Sequence, residues 1–188
     1  MKLLHIDASA LGAHSVSRGL TQAIVSEFVN NHPGTEVTYR DLHAAPLAHW
    51  GLPAGEDDPN AAEAAKVMEE FLAADVVVIG APMYNFGMPI QLKAWFDAIA
   101  RAGVTFRYTE KGAEGLLKGK KVYVALARGG LYRNTPADTQ VPYLKMVLGF
   151  LGMTDVRFVY AEGLAMGEDA ERAGIASAWD QIEEVVAA

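Results

Sequence analysis

Asp75-Val-Val-Val-Ile-Gly80 decides the fold. Four consecutive β-branched residues, short and apolar without alternation, are the pattern of a strand buried on both faces. Such a strand needs helices above and below it, and the flanking sequence supplies them. Upstream, Pro59 or Asn60 opens a helix to Ala74, with Val67, Met68, Phe71 and Leu72 turned inward. Downstream, Pro89 to Ala102 reads as a helix that starts on proline, where a missing N–H costs nothing. Outward again, Lys2–Asp7 is a buried opening strand, and Ser15 to about Asn31 is a helix with Leu20, Ala23, Ile24 and Phe28 on one face. Glu36–Asp41 alternates as a second strand. Lys120–Arg128 and Val156–Ala161 are the fourth and fifth. Thr135–Gly149 and Glu168–Val186 complete the helices. Ala44–Pro59, with three prolines and two glycines, is a loop, and its Glu56-Asp-Asp58 a solvated stretch.

Strand and helix thus alternate five times, which implies a parallel sheet covered on both sides. Five strands favour a flavodoxin-like three-layer α/β sandwich with sheet order 2-1-3-4-5. With no repeat or linker, residues 1–188 read as one domain.

Composition narrows the function. The chain has no cysteine, so disulfides, catalytic thiols and thiolate metal sites are excluded. Sixteen basic against 23 acidic residues give a net charge of −7, without the basic footprint of a nucleic-acid binder. No apolar run is long enough to span a membrane, and the chain begins directly on a strand, so a cytoplasmic protein is expected. The five histidines form no ligand cluster, and no metal is expected. No G-x-S-x-G elbow exists, and Gly115-Leu-Leu-Lys-Gly-Lys-Lys121 has neither the spacing nor the Ser/Thr of a phosphate loop. His5 and Asp7 share a strand face and read as a structural pair.

In an open parallel sheet, ligands bind beyond the carboxyl ends of the strands at the point where strand order reverses. Three loops lie there. Ala8–Ser17 holds three of the five serines and runs into a helix N-terminus, a setting for a mononucleotide phosphate. Helix capping alone needs one serine. The dinucleotide fingerprint is absent, since Gly12 stands alone. Ala81-Pro-Met-Tyr-Asn-Phe-Gly-Met-Pro89 brackets an amide with two aromatics and suits a flat heteroaromatic ring, although Tyr84 and Phe86 could equally be core. Ala127-Arg-Gly-Gly-Leu-Tyr132 has paired glycines that allow backbone to approach a ligand or simply turn.

Ala81-Pro-Met-Tyr-Asn-Phe86, Arg101-Ala-Gly-Val-Thr-Phe-Arg-Tyr-Thr109, Ala127-Arg-Gly-Gly130 and Leu148-Gly-Phe-Leu-Gly152 together resemble the FMN-dependent NADH-azoreductase and NAD(P)H:quinone oxidoreductase family, in order and over nearly the whole chain. The resemblance implies a homodimer with one FMN per subunit, NADH or NADPH as donor, and quinones and azo compounds as acceptors. It implies that Ser9, Ser15, Val16 and Ser17 hold the FMN phosphate. Met83, Tyr84, Asn85 and Phe86 would line the isoalloxazine and ribityl chain, and Ala127, Arg128, Gly129 and Gly130 would close over its pyrimidine side. Tyr108, Tyr132 and Phe150 would shape the substrate pocket, Phe150 reaching the partner subunit's flavin. Tyr132 stands where some relatives carry histidine.

The flavin would carry the chemistry in a two-electron ping-pong cycle, so no catalytic side chain is expected. Backbone N–H groups of Gly129 and Gly130, with the Tyr132 hydroxyl, would stabilise negative charge on the ring. Arg107, Arg128 and Arg133 are candidates to offset the −7 charge against anionic NADH. A flavodoxin-type single-electron carrier and a flavin-free binding module are the rival readings.

Overall fold

The computed structural model describes residues 1–49, 51 and 59–187. Glu56-Asp-Asp58 and half of the Ala44–Pro59 loop lie outside them. The strands are β1 (Lys2–Asp7), β2 (Glu36–Asp41), β3 (Val76–Pro82), β4 (Phe106–Thr109), β5 (Gly112–Gly115), β6 (Lys121–Ala127) and β7 (Asp155–Ala161). The helices are α1 (Val16–Asn31), α2 (Pro59–Ala73), α3 (Ile90–Ile99), α4 (Gln140–Phe150) and α5 (Glu168–Ala187). A single 3₁₀ turn, Gly12–His14, precedes α1.

The main sheet is parallel with order β2-β1-β3-β6-β7, which is 2-1-3-4-5 when its own five strands are counted along the chain. β3 sits at the centre and all seven of its residues are buried. Its alternate side chains feed two cores. Val77 and Ile79 pack under α2, α3 and α4 with Phe71, Trp95, Phe96 and Leu144. Val76 and Val78 pack under α1 and α5 with Leu20, Phe28, Ala178 and Ile182. This two-sided burial is why the strand reads as an unbroken apolar run. Gly80 lies where β3 passes the β1 end; a Cβ there would stand 2.7 Å from Asp7 Oδ1.

Two elements depart from the sequence reading. β4 and β5 form a separate antiparallel hairpin that the five-fold alternation does not contain. Gly112-Ala-Glu-Gly115 lacks the β-branched and aromatic residues that mark strands. The fourth helix was expected from Thr135, but it starts at Gln140. Residues 135–139 form turns instead. There the Asp138 N–H donates to the Thr135 carbonyl at 3.0 Å, and the Asp138 Oδ1 accepts from the Val141 N–H at 3.1 Å and so serves the helix start. Among the described residues no helix is long and apolar enough to cross a membrane.

Candidate active site at the carboxyl rim of the sheet

The loops after β1, β3 and β6 meet as the topology requires. Ser9 is fully buried; its hydroxyl lies 3.1 Å from the Tyr84 hydroxyl and accepts from Leu11 N–H at 3.2 Å. The Tyr84 hydroxyl also accepts from Ala10 N–H at 3.1 Å. Tyr84 therefore ties the second loop to the first.

Ser15 caps α1, accepting from Arg18 N–H at 3.3 Å, and its hydroxyl lies 3.0 Å from that of Ser17. Capping by Ser15 does not occupy the N–H groups that the expected anion site would use. Among the described residues none accepts from the N–H groups of Val16 and Ser17, and the first turn of α1 contains no acidic residue. Helix-terminal N–H groups with two hydroxyls and no competing carboxylate are a donor set that suits a phosphate.

Arg18, not anticipated from sequence, braces this loop from behind. Its guanidinium donates to Asp41 at 2.7 and 2.9 Å and to the Ser9 carbonyl at 2.9 Å. The pairing raises the Arg18 pKa and holds the Asp41 carboxyl below the usual carboxylate range, aided by the Ala44 and His43 N–H groups. Beside it, the pair read from strand one is close but not satisfied: His5 Nε2 lies 3.4 Å from Asp7 Oδ2 and among the described residues makes no hydrogen bond.

In the second loop, Tyr84 and Gly87 exchange backbone hydrogen bonds at 2.8 and 2.9 Å around Asn85 and Phe86, whose φ angles are +49° and +65°. This is a two-residue turn with both central residues left-handed. Asparagine tolerates that conformation, while for phenylalanine it costs about 1–2 kcal/mol. Phe86 is 56% exposed, so burial does not offset the strain; its ring only meets Tyr132 edge-on at 5.6 Å. Strain kept at a site without a packing gain is a functional signature. Among the described residues none accepts from the N–H groups of Asn85 and Phe86. Met83 N–H donates to Ala127 O at 2.9 Å and joins the second loop to the third.

The third loop presents its backbone outward. The carbonyls of Arg128, Gly129 and Gly130 accept from Leu164, Ala165 and Gly163. Among the described residues none accepts from the N–H groups of Gly129 and Gly130. A Cβ at Gly130 would stand 2.8 Å from the Tyr132 ring, and one at Gly129 would stand 3.2 Å from the Ala165 methyl.

Arg128 corrects an expectation. Its side chain is completely buried and donates to Asp138 at 2.8 and 3.1 Å, to Glu162 at 3.2 Å and to Gln140 at 3.1 Å. Two carboxylates outweigh its one charge, so it is not a cation for attracting a dinucleotide. Arg107 is likewise engaged, with Glu114 at 2.7 Å on the hairpin. Arg133 is exposed, stacks over the Tyr160 ring at 4.2 Å, and among the described residues makes no carboxylate ion pair.

Tyr108 and Phe150 are joined through Phe106, with ring centroids 5.5 and 4.4 Å from it. Tyr108 is 76% exposed. Among the described residues no hydrogen bond or ring contact links this group to the three loops. Phe150 ends α4 ten residues beyond Gln140, about 15 Å along the helix axis. Sequence reasoning also passed over Thr139, Gln140 and Tyr143. With Phe86, Met88 and Ile90 they line a cavity of about 410 Å³ between the α3 and α4 starts. The sequence reading places Thr139 and Gln140 inside a helix begun at Thr135, which hides them.

The comparisons agree with this geometry. A family model described as a flavodoxin-like fold matches residues 1–186. The chain is 55% identical to the FMN-dependent NADH:quinone oxidoreductase of Dechloromonas aromatica (strain RCB), covering 100% of both chains. It belongs to that family. To FMN-dependent NADH:quinone oxidoreductase 1 of Xanthomonas axonopodis pv. citri it is 52% identical, over 100% of this chain and 98% of the other. Among solved structures, an azoreductase from Bacillus anthracis str. Sterne superposes with TM-score 0.89 at 30% identity, covering 99% and 98%. An FMN-dependent NADH-azoreductase from B. anthracis str. Ames Ancestor, in complex with FMN, gives 0.88 at 25%, covering 99% and 97%.

Proposed function

We propose that this flavodoxin-like chain, residues 1–188 acting as one domain, is an FMN-dependent NAD(P)H oxidoreductase that reduces quinones and azo compounds by two-electron transfer. One observation carries the reading: three loops at one sheet end offer backbone N–H donors that no described group accepts from, beside the paired Ser15 and Ser17 hydroxyls. That donor set fits FMN at both ends. Val16 and Ser17 N–H groups with the Ser15 and Ser17 hydroxyls hold the phosphate, and Ser9 supports them through Tyr84. Met83, Tyr84, Asn85 and Phe86 line the ring and ribityl chain. Ala127, Arg128, Gly129 and Gly130 close over the pyrimidine side with backbone, Arg128 by its main chain alone.

When bound, FMN supplies the hydride chemistry, taking two electrons from NADH or NADPH and passing them on, once for a quinone and twice for complete azo cleavage. The chain binds, orients and polarises. Preorganised N–H groups of Gly129 and Gly130, with the Tyr132 hydroxyl, stabilise negative charge arriving on the ring. Arg133 is the cation left to meet an anionic dinucleotide.

The reading includes a homodimer. Ile90, Tyr143, Met146 and Phe150 leave an apolar surface along α3 and α4, with Ile90 59% and Met146 75% exposed. A second copy covers it and brings Phe150, with Tyr108, to the other copy's flavin, which its own helix keeps about 15 Å from Gln140. A cytoplasmic setting goes with the nicotinamide donor.

The test is a visible spectrum of the protein supplied with FMN, before and after anaerobic NADH, then with a benzoquinone. Bleaching and recovery are expected. A bound flavin that NADH fails to bleach would favour a one-electron carrier, and no flavin uptake would leave a binding scaffold.

A further inference from the structure

Gln140 opens α4 and is 1% exposed. Its amide orientation is forced. A guanidinium only donates, so Arg128 Nε, 3.1 Å away, takes the Gln140 Oε1. The Gln140 amide nitrogen then donates to Pro82 O at 3.1 Å and Ala81 O at 3.3 Å. Arg128 is itself fixed by Asp138 and Glu162. The adjoining Thr139 hydroxyl donates to the Phe86 carbonyl, inside the left-handed turn. Residues 139 and 140 thus grip both ends of the segment that carries Asn85 and Phe86.

We propose that Gln140 is a positioning residue for the flavin site. Its amide couples the ion cluster around Arg128 to the end of β3, and with Thr139 it holds the strained Asn85–Phe86 turn so that the turn's N–H groups face the cofactor. The proposal rests on the FMN reading above. Since Phe86 is exposed, these polar ties add to the Tyr84–Gly87 backbone hydrogen bonds in holding the turn.

Gln140→Glu tests it. The variant keeps shape and an acceptor for Arg128, but turns a carboxylate oxygen toward two carbonyls. Protonation restores a donor. The charged and titratable groups around position 140 are Arg128, Asp138, Glu162, Tyr160, Lys93 and Tyr143. All are common to both proteins, so the variant-to-wild-type ratio isolates residue 140. We expect the FMN dissociation constant, read by flavin fluorescence, to rise about tenfold over wild type at pH 8 and to return to within about twofold at pH 5.5. The apoprotein melting curve is measured alongside.

A deficit that does not change with pH, or no deficit, overturns the proposal. Should Gln140→Glu fail to fold, Thr139→Val decides, since Thr139 is exposed. Weaker FMN binding with an unchanged apoprotein melting curve, restored in Thr139→Ser, supports the grip on the turn, and unchanged binding overturns it. Wild type that takes up no FMN overturns the functional reading itself, whereas normal wild-type uptake beside an unaffected variant overturns only the role of Gln140.

Discussion

Arg128 and Arg133 lie five residues apart and have opposite fates. The first is enclosed by carboxylates 10 and 34 residues away, a long-range arrangement that no local pattern reveals. The second stacks on Tyr160 and keeps its charge available. Arg133→Ala should therefore raise KM for NADH several-fold with little change in kcat, and the difference should shrink as salt screens it. Gly129→Val should abolish FMN retention, because a Cβ there already presses the Ala165 methyl at 3.2 Å; flavin content after gel filtration checks it. Asp41 gives a pH prediction. Its folded-state pKa is depressed by Arg18, so its contribution to stability is present above the unfolded value of about 3.9 and is lost as pH falls toward the folded one. The urea midpoint should drop between pH 5 and 3, and Arg18→Met should flatten that drop.

At the level of elements, the parallel layers were legible because two-sided burial writes itself as apolar runs and one-sided helices as stripes. The β4–β5 hairpin was not, because it buries little and is built partly from glycine. Gly115 shows what its glycine is for. A Cβ there would stand 2.1 Å from the Gly152 nitrogen, backbone against backbone. The same glycine made residues 115–121 look faintly like a phosphate loop, though its use is close approach. Gly115→Ala should cost about 1–3 kcal/mol through overpacking, visible as a thermal midpoint lowered by roughly 2–4 °C per kcal/mol. The α4 start was misplaced because the turns of 135–139, with Asp138 serving both Arg128 and Val141, are tertiary in origin.

Across the whole molecule, topology alone nominates the position of the candidate site, since a 2-1-3-4-5 sheet has one reversal point. What the sequence hid was which donors remain open and which charges are already spent. The exposed apolar surface on α3 and α4 predicts that sedimentation gives twice the 20.2 kDa chain mass, and that Ile90→Asp shifts it toward the monomer. The Tyr84 hydroxyl, touching both Ser9 and Ala10, has a thermodynamic consequence at this scale. On the FMN reading proposed above, it should couple the phosphate end of the site to the ring end. Riboflavin should bind more tightly in phosphate buffer than in a chloride buffer of equal ionic strength, inorganic phosphate should gain the same factor from riboflavin by reciprocity, and Tyr84→Phe should uncouple the two.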